Sequence, residues 1–303
     1  MKQVLIITTA REFETGRQPV IDLQKFSKDA LGLTNLNAEV SIAALDELIH
    51  VIDATEHRIY IASTNRDVAE FDFVWLRGRF VPIMNEIAIV AEYLQRKEVK
   101  FANESYAHRE AFGKCAQMHT LAHLNLPLPK TVYCFGEAAK TAFMKHLPFP
   151  MIVKNDHGGH GEKNYLVHSE AELEEILATN QDTKFVAQEF IPNDADFRIL
   201  IAGQKQMIIR RQGSADSHLN NTSAGASASL VNEDDFDPAI VAEARKFAAA
   251  LYYDMSGVDV MFHKETGNHY FLEANSQPQI ISGAFVDKKQ QLLADYLAEK
   301  LKN

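Results

Sequence analysis

Val258-Asp259-Val260-Met261-Phe262 and His269-Tyr270-Phe271-Leu272-Glu273-Ala274-Asn275, with Gly267-Asn268 in the turn between them, read as an antiparallel hairpin with one acidic face. Centring the hairpin near Thr266 sets Asp259 opposite Glu273, Val260 opposite Leu272 and Phe262 opposite Tyr270. Side chains alternate along a strand, so Asp259, Glu273 and Asn275 are expected on one face. Like charges directly opposite each other destabilise a ladder. A hard cation removes that objection, and Mg²⁺ is commonly held by one or two carboxylates together with substrate phosphates. An ordinary hairpin with a solvated acidic face is the plain alternative, and the upstream chain decides between them.

The chain has 303 residues, enough for two or three compact subdomains with their own cores. Its hydrophobic content of 46% and charged content of 24% are ordinary for a soluble globular protein. A net charge of −10 argues against a dedicated nucleic-acid binder, which carries a basic surface. The two cysteines, Cys115 and Cys134, are too few for a disulfide framework and point to a reducing compartment. Val4-Leu5-Ile6-Ile7 is too short an apolar run for a signal peptide, and no stretch approaches a membrane span, so the expected location is cytoplasmic.

Val4-Leu5-Ile6-Ile7 instead reads as a buried strand opening an α/β unit, with further strands over 58–62 and 73–76. Ile87, Val90 and Leu94 have the spacing of an amphipathic helix, as do Phe112, Cys115, Met118 and Leu121. Pro127 and Pro129 then open a new segment, with a strand at Met151-Ile152-Val153 leading into His157-Gly158-Gly159-His160-Gly161. Ser169 with Glu172 three residues on is a capping box. Residues 185–191 are expected to be extended, 197–202 and 206–210 to form a hairpin around Gly203, and 213–229 to form a long flexible loop. Asp237-Pro238 starts a helix with inner face Val241, Ala244, Phe247 and Leu251, and a lysine-rich helix closes the chain over 287–301.

Several of these pieces carry chemistry. Lys154 ends a strand four residues before the glycine turn, where backbone amides can approach a phosphate and an ammonium adds a point charge. This is not a Walker loop, because Lys precedes the glycines; a plain hairpin with a surface lysine remains the bland reading. Gln188-Glu189-Phe190-Ile191 is an extended linker whose backbone could read an adenine edge, though taken alone an ordinary edge strand explains it better. Arg198 and Arg210 are expected on adjacent strands beside the acidic face, suited to a phosphoryl group or a substrate carboxylate. Arg77 and Arg79, after the 73–76 strand, are a second candidate pair for a carboxylate or a peptide, although a solvated strand end explains them equally well, with Trp75 as core or interface.

In this order the pieces resemble ATP-grasp ligases of the branch containing ribosomal-protein glutamyl ligases (the RimK type) and bacterial glutathione synthetase. The resemblance covers roughly residues 114–278. Lys114 and Lys154 match the two ATP-contacting lysines, and Gly158, Gly159 and Gly161 lie in the phosphate-covering loop. Glu189, Phe190 and Ile191 match the adenine hinge, and Asp196 a residue at the nucleotide's edge. Arg210 matches an arginine that contacts phosphate or the reacting acyl group, and His218 and Asn220 match an Arg-x-Asn stretch at the same site. Asp259, Glu273 and Asn275 match the metal ligands, with Pro278 completing Glu-x-Asn-x-x-Pro. His218 stands where relatives carry arginine, Gln279 where they carry glycine after the proline, and Lys163 in place of the loop's last glycine.

The fold implied is α/β in the α+β ATP-grasp arrangement: a small α/β domain over 1–108 and two ATP-clamping subdomains over 109–187 and 188–303. The implied activity is carboxylate–amine ligation through an acyl phosphate, with ATP and Mg²⁺ or Mn²⁺ as cofactors and Arg210, Lys154 and Arg198 as catalytic groups. The implied partners are ATP and carboxylate and amine substrates, an amino acid or peptide, with no nucleic acid or membrane; a homo-oligomer is compatible with this. A kinase releasing a phosphorylated product and a non-catalytic nucleotide-binding protein are the competing readings.

Overall fold

The computed structural model describes the chain except residues 10–16, 56, 79, 81–82, 109–112, 159–162, 214–226 and 303, and the side chains of 17–21. Its first part runs β1 (Lys2–Thr8), α1 (Arg17–Gly32), β2 (Ala38–Ala44), β3 (Leu48–Ile52), β4 (His57–Ile61), β5 (Arg66–Asp67), β6 (Phe73–Leu76), α2 (Met84–Arg96) and β7 (Phe101–Ala102). Strands β2-β1-β6-β7 form a parallel sheet, and β3-β4-β5 a small antiparallel one. The run Val4-Leu5-Ile6-Ile7 is fully enclosed, as a parallel strand covered on both faces must be. Trp75 is core, packed among residues of α1 and of the C-terminal helix.

The central part contains α3 (Lys114–His123), β8 (Thr131–Tyr133), α4 (Ala139–His146), β9 (Met151–Asn155), β10 (Asn164–Val167), α5 (Glu170–Thr179) and β11 (Phe185–Glu189). Its antiparallel sheet has the order β10-β9-β11-β8. The helix expected from Phe112, Cys115, Met118 and Leu121 is described from Lys114, and only its lower turns are buried. Ser169 Oγ accepts from the Glu172 amide at 3.3 Å, while Glu172 reaches back one residue further than a regular capping box, to the His168 amide.

The last part holds β12 (Asp196–Ala202), β13 (Lys205–Gln212), β14 (Ser227–Val231), α6 (Pro238–Ala250), β15 (Met255–Phe262), β16 (His269–Asn275) and α7 (Val286–Lys302). These strands make one antiparallel sheet, β14-β13-β12-β15-β16. The end of the expected 213–229 loop is therefore strand, since β14 begins at Ser227 and pairs with β13. Asp237 caps α6 through the Ala239 amide at 2.8 Å with Pro238 in the first turn. Ala244, Phe247 and Leu251 enter the core as expected, joined by Ile240 and Ala248, while Val241 is only partly buried against it. One sheet face packs on α6 and the other, through Leu200, Ala202 and Met255, on α7 and the first sheet. No described helix is long and apolar enough to cross a membrane.

The hairpin register differs from expectation beyond its acidic end. Gly257 pairs with Asn275 and Asp259 with Glu273, as expected, but Val260 pairs with Phe271 and Phe262 with His269. A β-bulge between Asp259 and Val260 leaves Leu272 without a partner. The physical reason is packing: Phe271 and Ala274 both enter the core against α6, three positions apart. Strict alternation would have put Phe271 on the same face as Glu273. The extra residue turns Phe271 inward while Glu273 keeps the acidic face.

Candidate active site

Lys154, Lys114, Glu273 and Asp259 meet between the central and C-terminal sheets. Lys154 sits on β9 between Asn164 and Val186, almost completely buried. Burial pushes its amine down, Glu273 and Asp259 pull it back up and Lys114 opposes them, leaving it at about 8. Lys114, in the first turn of α3, places Nζ 3.9 Å from Glu273 Oε2 and donates to the Gly158 carbonyl at 2.6 Å. Asn275 Nδ2 donates to Glu273 Oε1 at 2.9 Å.

Asp156 fixes where α3 begins. Its carboxylate accepts from the Cys115 amide at 2.7 Å and its carbonyl from the Lys114 amide at 3.0 Å. This close approach requires Gly113, whose φ is +114° and whose missing Cβ would lie 2.5 Å from Asp156 Oδ2. Gly113→Ala is expected to cost about 1–3 kcal/mol and to displace Lys114, measured by chemical denaturation. An unchanged midpoint would show that the start of α3 is not held this way. Gln117, one turn on, makes a two-way pair with the Ala274 backbone, 2.9 Å in each direction, and so ties α3 to the strand carrying Glu273 and Asn275.

Asp259 belongs to a buried network. Arg198 grips it with two bonds, Nε to Oδ1 at 2.8 Å and Nη2 to Oδ2 at 2.7 Å. Arg211 adds Nη2 to Oδ2 at 3.1 Å and bonds Asp196 Oδ1 through Nε at 2.6 Å. Burial pushes the Asp259 carboxyl up, and the two guanidinium groups more than reverse this, holding it below the ordinary range. Burial raises Asp196, only partly offset by Arg211.

Arg211 was not among the residues singled out from sequence; Arg210 was. The β12–β13 register sets Asp196 opposite Arg211 and Phe197 opposite Arg210. By alternation Arg211 shares the face of Asp196, Arg198 and Asp259, while Arg210 lies on the α6 face with Phe197 and bonds Gln212 Oε1 at 2.9 Å. The turn Gly203-Gln204 was the readable signal, because a two-residue turn there pairs Asp196 with Arg211.

The hinge segment is held by its own Gln188 and Glu189 side chains. Glu189 Oε1 accepts from the Lys130 amide at 2.7 Å, and buried Gln188 donates to Thr131 Oγ1 at 2.9 Å. Phe190 is half-buried and Ile191 buried. Gly158 packs so closely on Asn155 that a Cβ would come within 2.9 Å. Lys163 adopts φ +50°, the conformation that suits the glycine it replaces, and donates to Thr183 Oγ1 at 2.6 Å. Gly159, Gly161, His218, Asn220 and Arg79 lie outside the described residues. Arg77 donates to Gln277 Oε1 at 3.0 Å and to the Pro278 carbonyl at 2.7 Å, anchoring the segment after β16 to the first domain. Gln279 Nε2 donates to Ser282 Oγ at 2.9 Å.

No cluster of three His, Cys, Asp or Glu side chains close enough to hold a metal occurs among the described residues. Asp259, Glu273 and Asn275 offer two carboxylates and an amide, all hard oxygen donors on one face. So sparse a set fits an ion that brings most of its own ligands, as Mg²⁺ does with water and phosphates. Asp259 already shares both oxygens with arginines, so Glu273, the more exposed of the two, has more to give.

Lys154 gives a signed pH dependence. Without divalent ion, ADP affinity is expected to fall as pH rises through about 8, because the ammonium is discharged. Lys154→Arg, charged throughout, should flatten that limb in a calorimetric pH series. Stability runs the other way: the folded value lies below the ordinary 10.5, so Lys154's contribution to stability rises from about pH 8 to 10.5. A flat wild-type affinity profile would contradict Lys154's part in binding.

Residues 111–294, well over half of the chain, match the model of the RimK-like ATP-grasp domain. The chain is 26% identical to the N5-carboxyaminoimidazole ribonucleotide synthase of Synechococcus elongatus, over 60% of this chain and 43% of that protein. It is 23% identical to the α-aminoadipate–LysW ligase LysX of Saccharolobus solfataricus, over 55% of this chain and 62% of the relative. The chain thus spans 43 to 62% of the length of these curated relatives. A RiPP-associated ATP-grasp ligase of Chryseobacterium gregarium, solved with ADP and a leader and core peptide, superposes with a TM-score of 0.69 over 99% of this chain and 97% of that one. At 15% identity, what the two share is the fold.

Proposed function

Since this chain belongs to the RimK-like ATP-grasp family, we propose that it is an ATP- and Mg²⁺-dependent ligase that joins a carboxylate to an amine. The observation carrying this reading is the convergence of Lys114 and Lys154 with Glu273 and Asp259 between two sheets. Two ammonium groups there bind the phosphates of ATP, and their neighbouring carboxylates are the place for a divalent ion. Asp259, Glu273 and Asn275 would hold Mg²⁺, which supplies charge neutralisation on the phosphates.

The reaction is an in-line phosphoryl transfer followed by acyl transfer. A carboxylate oxygen bonds to the γ-phosphorus as the bond to ADP breaks. The amine nitrogen then attacks the acyl carbon, phosphate leaves with the electron pair of the broken C–O bond, and the nitrogen loses a proton. Lys114 and Lys154 orient the phosphates, and Arg198 and Arg211 are the guanidinium groups on the same face as the acidic cluster. Arg210, on the opposite face, has no such role in this reading.

The substrates fall in the class of amino acids, small peptides or a peptide carboxylate; the relative LysX is an α-aminoadipate–LysW ligase, and the Chryseobacterium enzyme was solved with peptides. An ADP-release screen with Mg²⁺ over amino acids, dipeptides and small carboxylic acids, with products read by mass spectrometry, tests the reading. An amide product supports it. A stable phosphorylated product favours a kinase, and tight ATP binding without ADP release under any pairing overturns catalysis.

A further inference from the structure

His119 and His123 lie four residues apart on α3, at the opposite end of the helix from Lys114. Residues at that spacing are neighbours on one helix face, with Cβ atoms about 5–6 Å apart. Both are exposed. They line one open cleft of about 460 Å³, together with Thr120, Leu124 and Ala250 at the end of α6. Among the described residues neither imidazole has a hydrogen-bond partner, so no protein group competes for their lone pairs.

Two imidazoles one turn apart are what a helix offers to Zn²⁺ in the His-Glu-x-x-His pattern. Here the chain reads His119-Thr120-Leu121-Ala122-His123. Thr120 takes the glutamate's place, and its hydroxyl donates to the Ala116 carbonyl at 3.2 Å. The pair can therefore grip an ion, but it lacks the general base of that pattern. Imidazole nitrogen suits Cu²⁺, Ni²⁺ and Zn²⁺, whereas Mg²⁺ prefers oxygen, so this face differs in chemistry from that of Asp259 and Glu273.

The helix itself favours a cation there. α3 has 10 residues and buries only Met118 and Leu121, and a helix so short is marginal without outside support. Its last carbonyls carry partial negative charge. Lys246 of α6 already answers part of it, donating to the Leu124 carbonyl at 3.1 Å. One turn further along α6, Ala250 walls the cleft with a methyl group that leaves room for an ion and its waters.

We propose that His119 and His123 form a two-imidazole site for a divalent transition ion of the Zn²⁺, Ni²⁺ or Cu²⁺ class, with water in the remaining positions. The ion clips the last turn of α3 and firms the helix that sets Lys114 3.9 Å from Glu273. This goes beyond the ligase reading and stands whether or not that reading holds.

The test is equilibrium dialysis of the full chain against Zn²⁺ in excess Mg²⁺, which fills hard-oxygen sites and leaves imidazole free. One Zn²⁺ per chain is expected. His119→Ala and His123→Ala should each weaken it on the order of 10²-fold, because the second ligand binds as an intramolecular partner. Thr120→His combined with His123→Ala keeps the number of histidines but turns them to different faces, and should bind as weakly as the single variants. Both side chains are exposed, so these variants keep the fold. Zn²⁺ should raise the melting temperature of the wild type and leave that of the variants unmoved. Cu²⁺ bound to the wild type should show couplings to two imidazole nitrogens by electron paramagnetic resonance. Equal Zn²⁺ affinity in the wild type and the spacing variant, or Cu²⁺ coupled to a single nitrogen, overturns the site.

Discussion

Glu273→Ala is expected to lower Mg²⁺-dependent ADP release on the order of 10²–10³-fold or more, with the substrate pair that the screen identifies. Glu273 is the carboxylate that joins the two lysines to the candidate ion site, 3.9 Å from Lys114 and among the charges that keep Lys154 protonated. On the ligase reading, removing it takes an oxygen donor from the candidate ion site and part of the counter-charge from both ammonium groups at once. Lys154→Ala should cost a similar factor, because preorganised charge in a dry site is worth far more than in water. The two variants differ in a way that separates metal from phosphate. Glu273→Ala should retain ADP binding in EDTA and lose its Mg²⁺ dependence, whereas Lys154→Ala should lose the metal-free binding. Near-wild-type turnover in both would reject the assignment.

The second large effect is on stability. Arg211→Met is expected to destabilise the protein by about 3–5 kcal/mol, because it leaves buried Asp196 without a partner and strips Asp259 of one of two. Methionine keeps most of the volume, so the cost reports charge rather than a cavity. Arg210→Met, one residue away on the other face, should change stability by only about 0.5 kcal/mol. Denaturant midpoints of the two variants decide it, and similar values for both would show that the Asp196–Arg211–Asp259 network does not carry this energy. Asp196→Asn in the Arg211→Met background should restore part of the loss, as residues in one network are coupled.

Gln117, Asn103 and Gln277 illustrate what the chain conceals. Asn103 Nδ2 donates to the Met255 and Ser276 carbonyls at 3.2 and 2.7 Å, and its Oδ1 accepts from the Met255 amide at 2.9 Å. Gln277 Nε2 donates to the Leu76 carbonyl at 3.0 Å. With Gln117 on Ala274, three amide side chains hold both ends of the hairpin to α3 and to the first domain. An amide side chain has no periodicity and no charge pattern, so nothing local marks it.

The order and alternation of residues alone placed the buried first strand, the capped helices, the hairpin with Asp259 across from Glu273, and Lys154 at a strand end before the glycine turn; Lys114 was marked only by the family resemblance. These follow from rules that act over a few residues: side chains alternate on a strand, prolines and aspartates start helices, and apolar runs are buried. What folding at a distance decided was the facing of each group. Packing of Phe271 on α6 inserted the bulge, the turn at Gly203-Gln204 set Arg211 rather than Arg210 on the acidic face, and α7 carried Lys289 from a basic run into the interior, where it bonds the Ser282 carbonyl. In each case the deciding partner lies on another element, and burial of its surface sets the geometry.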